Sequence, residues 1–186
     1  MGQKDTYDEA LIVEQLHHQE TVNAAFGKVI EHYSQPLYWQ IRRMVIDHDD
    51  ANDVLQNTFI KAWSNIGSFR GDAKFSTWLY KIAVNESITF INKKKVQNNI
   101  SLDDDSSFLT SNLEADRYFD GDEAQLKLQK AIATLPDKQR LVFNMRYYDE
   151  MKYEDMSEIR GTSVGALKAS YHHAVKKIES FFGEED

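Results

Sequence analysis

Apolar side chains recur at steps of three and four residues through most of the first half of the chain, which is the spacing of an amphipathic helix. The pattern predicts one helix from Thr21 to Ser34 and a second that starts at Pro36 and runs to about Val45. A third helix is predicted from Asp49 to Asn65. After a turn over residues 67–75, Ser76 can cap a fourth helix that ends in three lysines.

The segment between Lys152 and Lys177 has two helical patterns separated by a glycine. Gly161 supplies the left-handed residue that ends the first helix, and Thr162 or Ser163 can cap the second. The apolar positions are Tyr153, Met156 and Ile159 before the glycine, and Val164, Leu167, Tyr171, Ala174, Ile178 and Phe181 after it. This order is typical of a helix-turn-helix, although a helical hairpin packed within a core has the same pattern.

The second of these helices leaves one face without large apolar side chains. The members of this face are small or polar, and they are Gly165, Ala166, Lys168, Ala169, His172, His173 and Lys176. In a DNA-binding helix-turn-helix, the N-terminal part of such a helix enters the major groove. The face is therefore a candidate DNA-reading surface.

Only two of the 186 residues are proline and eight are glycine, so the helical patterns are rarely interrupted and predict an all-α protein. Because cysteine is absent, disulfides, thiolate zinc sites and cysteine nucleophiles are excluded. The N-terminal residues are polar, and no apolar run approaches the roughly 20 residues of a membrane span. We expect a cytoplasmic protein without membrane insertion, and no pattern predicts a cofactor.

The formal charge of −8 is concentrated in one short segment. Residues 97–123 contain one basic and eight acidic side chains, whereas residues 1–96 contain 11 and 12, and residues 124–186 contain ten of each. Because the acidic segment lacks steady periodicity, we interpret it as a linker, with a solvated surface loop or a short helix as the alternative. The predicted organisation is an N-terminal extension (1–20), a four-helix domain (21–96), the acidic linker (97–123) and a helix-turn-helix domain (124–186).

The predicted third helix has a second face that is mostly polar. Asp53, Gln56, Asn57 and Ile60 follow one another at helical steps but lie off the main apolar stripe. A polar face with one exposed isoleucine suits docking to another protein, whereas amide and carboxylate side chains are more commonly only solvated. The residues alone leave both interpretations open.

The turn before the fourth helix interleaves aromatic and basic residues, which are Phe69, Arg70, Lys74, Phe75 and Trp78. Aromatic planes combined with cations form platforms for unstacked bases, although aromatic residues at this spacing also occur in cores. The lysines from Lys93 to Lys95 complement the dipole at the end of the helix, and phosphate contact is the alternative role.

Three stretches resemble conserved regions of bacterial RNA polymerase sigma factors. Their second region is similar to DDANDVLQNTFIKAW followed by FRGDAKFSTWLYKIAVNESI. Their fourth region is similar to LPDKQRLVFNMRYYDEMKYEDMSEIRGTSVGALKASYHHAVKKIE. With only these two regions and a linker, the chain resembles an extracytoplasmic-function (ECF, group IV) sigma factor. The resemblance covers about residues 20–96 and 124–182, and it implies one helical domain like sigma region 2 and another like region 4.

The resemblance implies roles for three sets of residues. The docking set, which would contact the clamp coiled coil of the polymerase β′ subunit, is Asp53, Gln56, Asn57 and Ile60. The melting set, which would open and hold the −10 element, is Arg70, Lys74, Phe75, Trp78, Lys81 and Asn85. The reading set, which would contact the −35 element, is Thr162, Ser163, Lys168, Ala169, His172, His173 and Lys176.

The chain departs from the family pattern at several positions. Asn52 and Asn57 stand where many relatives have glutamates, so we expect a less electrostatic docking contact. Ser170 and His173 stand where relatives commonly have arginine, and histidine, with an ordinary pKa of about 6.5, is largely neutral in the cell. The salt-dependent share of DNA binding should therefore be small.

The implied function is that of a dissociable, non-catalytic subunit that directs core RNA polymerase to promoter DNA. Relatives are commonly silenced by a cognate anti-sigma factor, which is therefore an expected partner. In relatives the linker threads toward the active-site cleft of the polymerase. We therefore expect Asp103 to Asp105 to occupy a basic channel there.

Two other functions are compatible with parts of the chain. A helix-turn-helix regulator without polymerase affinity would explain residues 124–182 but neither the docking set nor the aromatic loop. A metal-dependent phosphohydrolase is indicated by His48-Asp49, but no further His and Asp occur at suitable helical positions. The adjacent pairs His17-His18 and His172-His173 diverge by about 100° on a helix instead of converging on a metal. We therefore predict no catalytic or metal-binding residues.

Overall fold

The computed structural model describes residues 7–97 and 123–183, and the regular structure of these residues is helical. The N-terminal module contains α1 (Glu9–Leu16), α2 (Val22–Val45), α3 (His48–Asn65) and α4 (Phe75–Gln97), with a 3₁₀ turn at Ile66–Ser68. The C-terminal module contains α5 (Glu123–Ala133), α6 (Asp137–Tyr147), α7 (Tyr153–Arg160) and α8 (Val164–Gly183). The all-α prediction is confirmed. The predicted acidic linker lies outside the described residues, except that its first and last residues belong to α4 and α5.

One continuous helix, α2, replaces the two helices predicted on either side of Pro36. A proline inside a helix lacks the amide that would donate to the carbonyl four residues earlier, which is that of His32. Burial on one face, both before and after the proline, offsets this loss: Tyr33, Leu37 and Ile41 are 6%, 0% and 0% exposed. The predicted break was wrong because tertiary packing outweighs the local defect.

Both α3 and α4 begin earlier than predicted, α3 by one residue and α4, whose predicted cap was Ser76, by two. Asp47 caps α3, since its carboxylate accepts hydrogen bonds from the amides of Asp49 and Asp50 at 2.9 and 3.0 Å. In α4 the amide of Trp78 donates to the carbonyl of Lys74 at 3.1 Å. The predicted cap of this helix, at residue 76, therefore lies within its first turn.

The predicted N-terminal extension contributes a helix to the core. Ile12 and Leu16 of α1 are 3% and 5% exposed, and α1 packs on α2. The hydroxyl of Tyr33 donates a 2.7 Å hydrogen bond to the carboxylate of Glu9. Burial raises the pKa of Tyr33, and Glu9 raises it further, so the hydroxyl keeps the proton that it donates. These contacts fix α1 against the rest of the module.

The glycine stop between the last two helices is confirmed. Gly161 has a φ of +62°, in the left-handed region, and its amide donates to the carbonyl of Ser157 at 2.8 Å. Ser163 caps α8, because its hydroxyl oxygen accepts from the amide of Ala166 at 3.2 Å. A short hydrogen-bonded turn therefore joins α7 to α8, as a helix-turn-helix requires.

The turn between α2 and α3 has an unusual backbone. Ile46 has a φ of +69° and a ψ of −41°, and the amide of Asp47 donates to the carbonyl of Val45 at 2.9 Å. A β-branched residue in this conformation is strained by roughly 1–3 kcal/mol. Ile46 is only 7% exposed and packs with Ala133 and Leu126 of α5. Packing between the two modules therefore supports the strained turn.

Replacing Gly161 with alanine should lower the free energy of unfolding by about 1 kcal/mol, because alanine is strained at a positive φ. Gly165→Ala, in the first turn of α8, is the matched control and should raise that free energy by up to about 1 kcal/mol. An added Cβ would meet nothing within 4 Å at either position, so the pair isolates the backbone effect. Urea titration measures both changes, and equal stabilisation of both variants would contradict the left-handed turn.

Candidate functional site

The docking set lies together on the outer face of α3. Asp53, Gln56, Asn57 and Ile60 are all exposed, and Ile60 keeps 56% of its surface. On the opposite face of the helix, Val54 is buried in the core. The helix therefore separates the side chains that hold it in place from those that are available to a partner.

An exposed tryptophan extends the apolar part of this surface. Trp63, one turn after Ile60, is 41% exposed and packs edge-on against Phe26 of α2 with ring centroids 5.0 Å apart. Ile30, one turn further along α2, is also exposed. Trp63 continues the second stripe of α3, three residues after Ile60, and it was missed because that stripe was ended at Ile60.

An aromatic cluster supports the loop before α4. Phe69 contacts Phe75 edge-on and Trp78 at a tilt, with ring centroids 5.3 Å apart in both pairs. Phe69 and Phe75 are buried, whereas Trp78 is half-buried. The structure differs from the prediction at Phe75, because a ring that is 1% exposed has no face to offer to DNA. Phe75 instead packs against Trp78, with 5.5 Å between centroids.

The polar members of the melting set lie on the surface near this cluster. Arg70 and Lys74 are in the loop, Lys81 and Asn85 are one helical turn apart on α4, and all four are exposed. The Nζ of Lys74 is 3.9 Å from a carboxylate oxygen of Asp155 in α7, and the two side chains are 65% and 31% exposed. This ion pair is therefore weak.

The reading set follows the outward face of α8. Its exposed members are Ser163, Lys168, Ala169, His172, His173 and Lys176, and Thr162 is half-buried. The Nζ of Lys168 lies 5.6 Å from the ring centroid of Tyr153, and the guanidinium carbon of Arg146 lies 5.3 Å from the same centroid. These cation–aromatic contacts position Lys168 at the edge of the exposed face.

An ion pair joins the two modules. The guanidinium of Arg43 in α2 donates a 2.7 Å hydrogen bond to the carboxylate of Asp149, in the turn after α6. The same guanidinium lies 4.5 Å from the ring centroid of Tyr148. Burial raises the pKa of Asp149 to about 6, and the charge of Arg43 opposes this rise without cancelling it.

Apolar packing and a further ion pair also join the two modules. Met156 and Ile159 of α7 belong to the same buried cluster as Leu79 of α4. Lys95, near the end of α4, pairs with Asp137 at the start of α6 at 2.7 Å. The helix-turn-helix is therefore packed directly on the module that contains the docking and melting sets.

Comparison with known proteins identifies both modules. The model of Sigma-70 region 2 matches residues 29–96, and that of Sigma-70, region 4 matches residues 125–178. The ECF RNA polymerase sigma factor SigW of Bacillus subtilis (strain 168) is 34% identical over 156 residues, which are 80% of this chain and 83% of that protein. The RNA polymerase sigma-H factor of Pseudomonas aeruginosa is 28% identical over 163 residues, which are 83% and 84% of the two chains.

Solved structures share the fold. A chain in the structure of CnrH in complex with the cytosolic domain of CnrY has a TM-score of 0.70 at 18% identity, over 96% of this chain and 99% of that one. A chain in the complex of the sigma factor RpoE with the anti-sigma factor NepR from Bartonella quintana has a TM-score of 0.65 at 20% identity, over 85% and 96%. At these identities the likeness concerns the fold.

The two matched regions, in this order and on these helices, define an RNA polymerase sigma factor. The identity to SigW over most of both chains shows that the protein belongs to the ECF group of these factors. Its function is to direct RNA polymerase to promoters and to initiate transcription. Within residues 7–97 and 123–183, no helix is long and apolar enough to cross a membrane.

The contact between the modules should tighten as the pH falls from about 7.5 to 5. The pKa of Asp149 is about 6 when the modules are packed and returns to its lower ordinary value when they part, so protonation favours packing. At pH 5 this shift should favour the packed form by about tenfold relative to pH 7.5. Fluorescence energy transfer between dyes on the two modules measures the change.

Asp149→Asn should abolish this pH response. Asp53→Asn is the matched control, because it removes the same charge from the exposed face of α3. A response that survives in the Asp149→Asn protein would show that another group controls the contact.

Proposed function

We propose that this sigma factor is a dissociable, non-catalytic specificity subunit with three separate contact surfaces. This proposal is supported by the position of the exposed residues of the docking, melting and reading sets. They lie on or beside α3, α4 and α8, whose opposite faces form the core. Each surface is therefore separate from the apolar face that holds its helix in place. The protein would act in the cytoplasm, where polymerase and promoter DNA meet.

The docking set would contact the clamp coiled coil of the polymerase β′ subunit. An exposed isoleucine beside a carboxylate and two amides combines an apolar anchor with a polar rim, which is the usual composition of an interface. Trp63 enlarges the apolar part. Because Asn52 and Asn57 are neutral, Asp53 supplies the formal charge of this surface, and docking should depend weakly on salt.

The melting set would hold unpaired bases of the −10 element. Trp78 offers an aromatic face, Lys81 offers a cation, and the amide of Asn85 can both donate and accept hydrogen bonds. The two exposed loop cations would contact phosphates of the same strand. Phe75 is not proposed as a DNA contact, because its buried ring instead holds Trp78 in position.

The reading set would contact the −35 element in the major groove. Small side chains such as Ala169 allow close approach of the helix, and a helix N-terminus favours a phosphate. The hydroxyl oxygen of Ser163 accepts from the amide of Ala166, so its hydrogen remains available to a phosphate oxygen. A regulator without polymerase affinity would use the same face, but it would need neither the docking set nor the aromatic loop.

The two modules would separate when both promoter elements are bound. Elements near −10 and −35 are about 25 base pairs apart, which is ~85 Å along the duplex at ~3.4 Å per base pair. Lys74 of the melting set is nevertheless only 3.9 Å from Asp155 of the helix-turn-helix. The packed arrangement would therefore be that of the protein before it engages the promoter.

An anti-sigma factor is the second proposed protein partner. The similar chains from the CnrH–CnrY and RpoE–NepR structures come from complexes, and NepR is an anti-sigma factor. An inhibitor of this kind could act by keeping the two modules packed together.

The acidic residues Asp103 to Asp105 lie outside the described residues, and their proposed position in a basic polymerase channel depends on their charge.

Ile60→Asp should weaken binding to core RNA polymerase by at least about tenfold, or about 1.4 kcal/mol, because it buries a charge in the docking interface. Leu11→Asp is the matched control, since Leu11 is also an exposed apolar residue on a helix of the same module, and it should have no effect. Titration with purified core polymerase measures the affinity, and runoff transcription across a promoter library tests initiation. If the unmodified protein formed no polymerase complex, the regulator function would be favoured.

Lys176→Ala should reduce the slope of log affinity against log salt by about 0.9, if Lys176 neutralises one phosphate of the −35 element. The assay uses polymerase with the bound sigma factor and a duplex promoter, over about 50 to 200 mM salt. Lys28→Ala removes an exposed cation from α2 and should leave the slope unchanged. The same decrease in both variants would indicate a general charge effect instead of a phosphate contact.

A further inference from the structure

Helix α1 ends beside the loop of the melting set. His17 follows the last residue of α1, and its ring lies nearly parallel to that of Phe69, at 7° and with 6.5 Å between centroids. Phe69 is 4% exposed, whereas His17 is exposed. The N-terminal segment, for which the sequence predicted no role, therefore adds a surface ring to the aromatic cluster.

The position of His17 is set by a closed network of backbone contacts. Its amide donates back to the carbonyls of Glu14 and Gln15, which ends the helix. The hydroxyl of Thr21 donates to the carbonyl of Gln15 at 2.7 Å, and the amide of Val22 donates to that of His18 at 2.9 Å. With α1 anchored in the core by its apolar face, this turn fixes the backbone of His17 beside the loop, where its ring meets that of Phe69.

The cluster has two rings that can reach a ligand. Phe69 and Phe75 are buried, while His17 and Trp78 each pack against Phe69 and retain accessible surface. An imidazole combines an aromatic face with ring nitrogens that donate or accept hydrogen bonds. The cluster therefore presents two accessible rings that border Phe69, and either can stack with an unpaired base.

We propose that His17 is a DNA-contacting residue that helps to hold an unpaired base of the separated promoter strand. This inference rests on the proposed role of the melting set, and it extends that set to α1. His18 is a suitable control for His17. It is also exposed, but among the described residues its ring packs on no member of the cluster.

The test uses the full-length protein bound to core polymerase, with variants His17→Ala, His17→Phe and His18→Ala. The probes are a duplex promoter with 2-aminopurine in the −10 non-template strand and a single-stranded oligonucleotide of the same sequence. Stacking of one base on an aromatic ring contributes substantially to the affinity for a single strand. His17→Ala should therefore lower the affinity for the single-stranded oligonucleotide by about 5-fold or more. It should also reduce the gain in 2-aminopurine fluorescence on the duplex. His17→Phe should retain most of both signals, and His18→Ala should match the unmodified protein.

The controls separate this inference from the proposed function. Polymerase affinity and thermal stability should be unchanged in all three variants, so a fall in either that accounts for the whole defect would overturn the DNA role of His17. Equal behaviour of His17→Ala and His18→Ala would overturn it as well.

Asn85→Ala tests the melting set itself: if this variant loses single-strand binding while His17→Ala does not, only the inference on His17 fails. If neither variant loses binding, the proposed melting set fails with it.

Discussion

The burial of α7 against α4 is the contact on which the arrangement of every functional surface depends. Met156 and Ile159 enter the same apolar cluster as Leu79, so one face of α4 is used for packing and another is left for Lys81 and Asn85. Removing apolar area from water is the main favourable term in such a contact. The module that carries the reading set is consequently held near the loop of the melting set, although the two sets are proposed to act on separate promoter elements.

Polar groups at this contact determine its alignment more than its strength. The Arg43–Asp149 pair is partly buried, and desolvation offsets much of the attraction between the charges. One oxygen of Asp149 and the side-chain oxygen of Asn144 are buried without a hydrogen-bond partner. A buried acceptor without a hydrogen bond costs free energy, so this contact is less stable than a fully satisfied core would be.

Local patterns predicted the features that neighbouring residues determine. The turn at Gly161, the cap at Ser163 and the outer face of α3 all follow from residues within a few positions of one another. Features that depend on distant segments could not be predicted in this way. Pro36 lies inside a helix because the core on both sides outweighs its defect, and Phe75 is buried where it meets the ring of Tyr33 from α2. The place of α1 beside the loop required the packing of two segments that are some fifty residues apart.

The strained turn at Ile46 connects the packing of the two modules to α3, a helix that has few contacts with the C-terminal module. Its backbone is strained, and α5 supports it through Ala133, while α3 begins two residues later. The support and the strain are therefore thermodynamically coupled, and coupling is reciprocal. A change in the orientation of α3 would alter how well α5 fits on Ile46, and loss of α5 would remove the support of the strained turn. This turn therefore couples the orientation of α3, which carries the proposed docking set, to the packing of the C-terminal module.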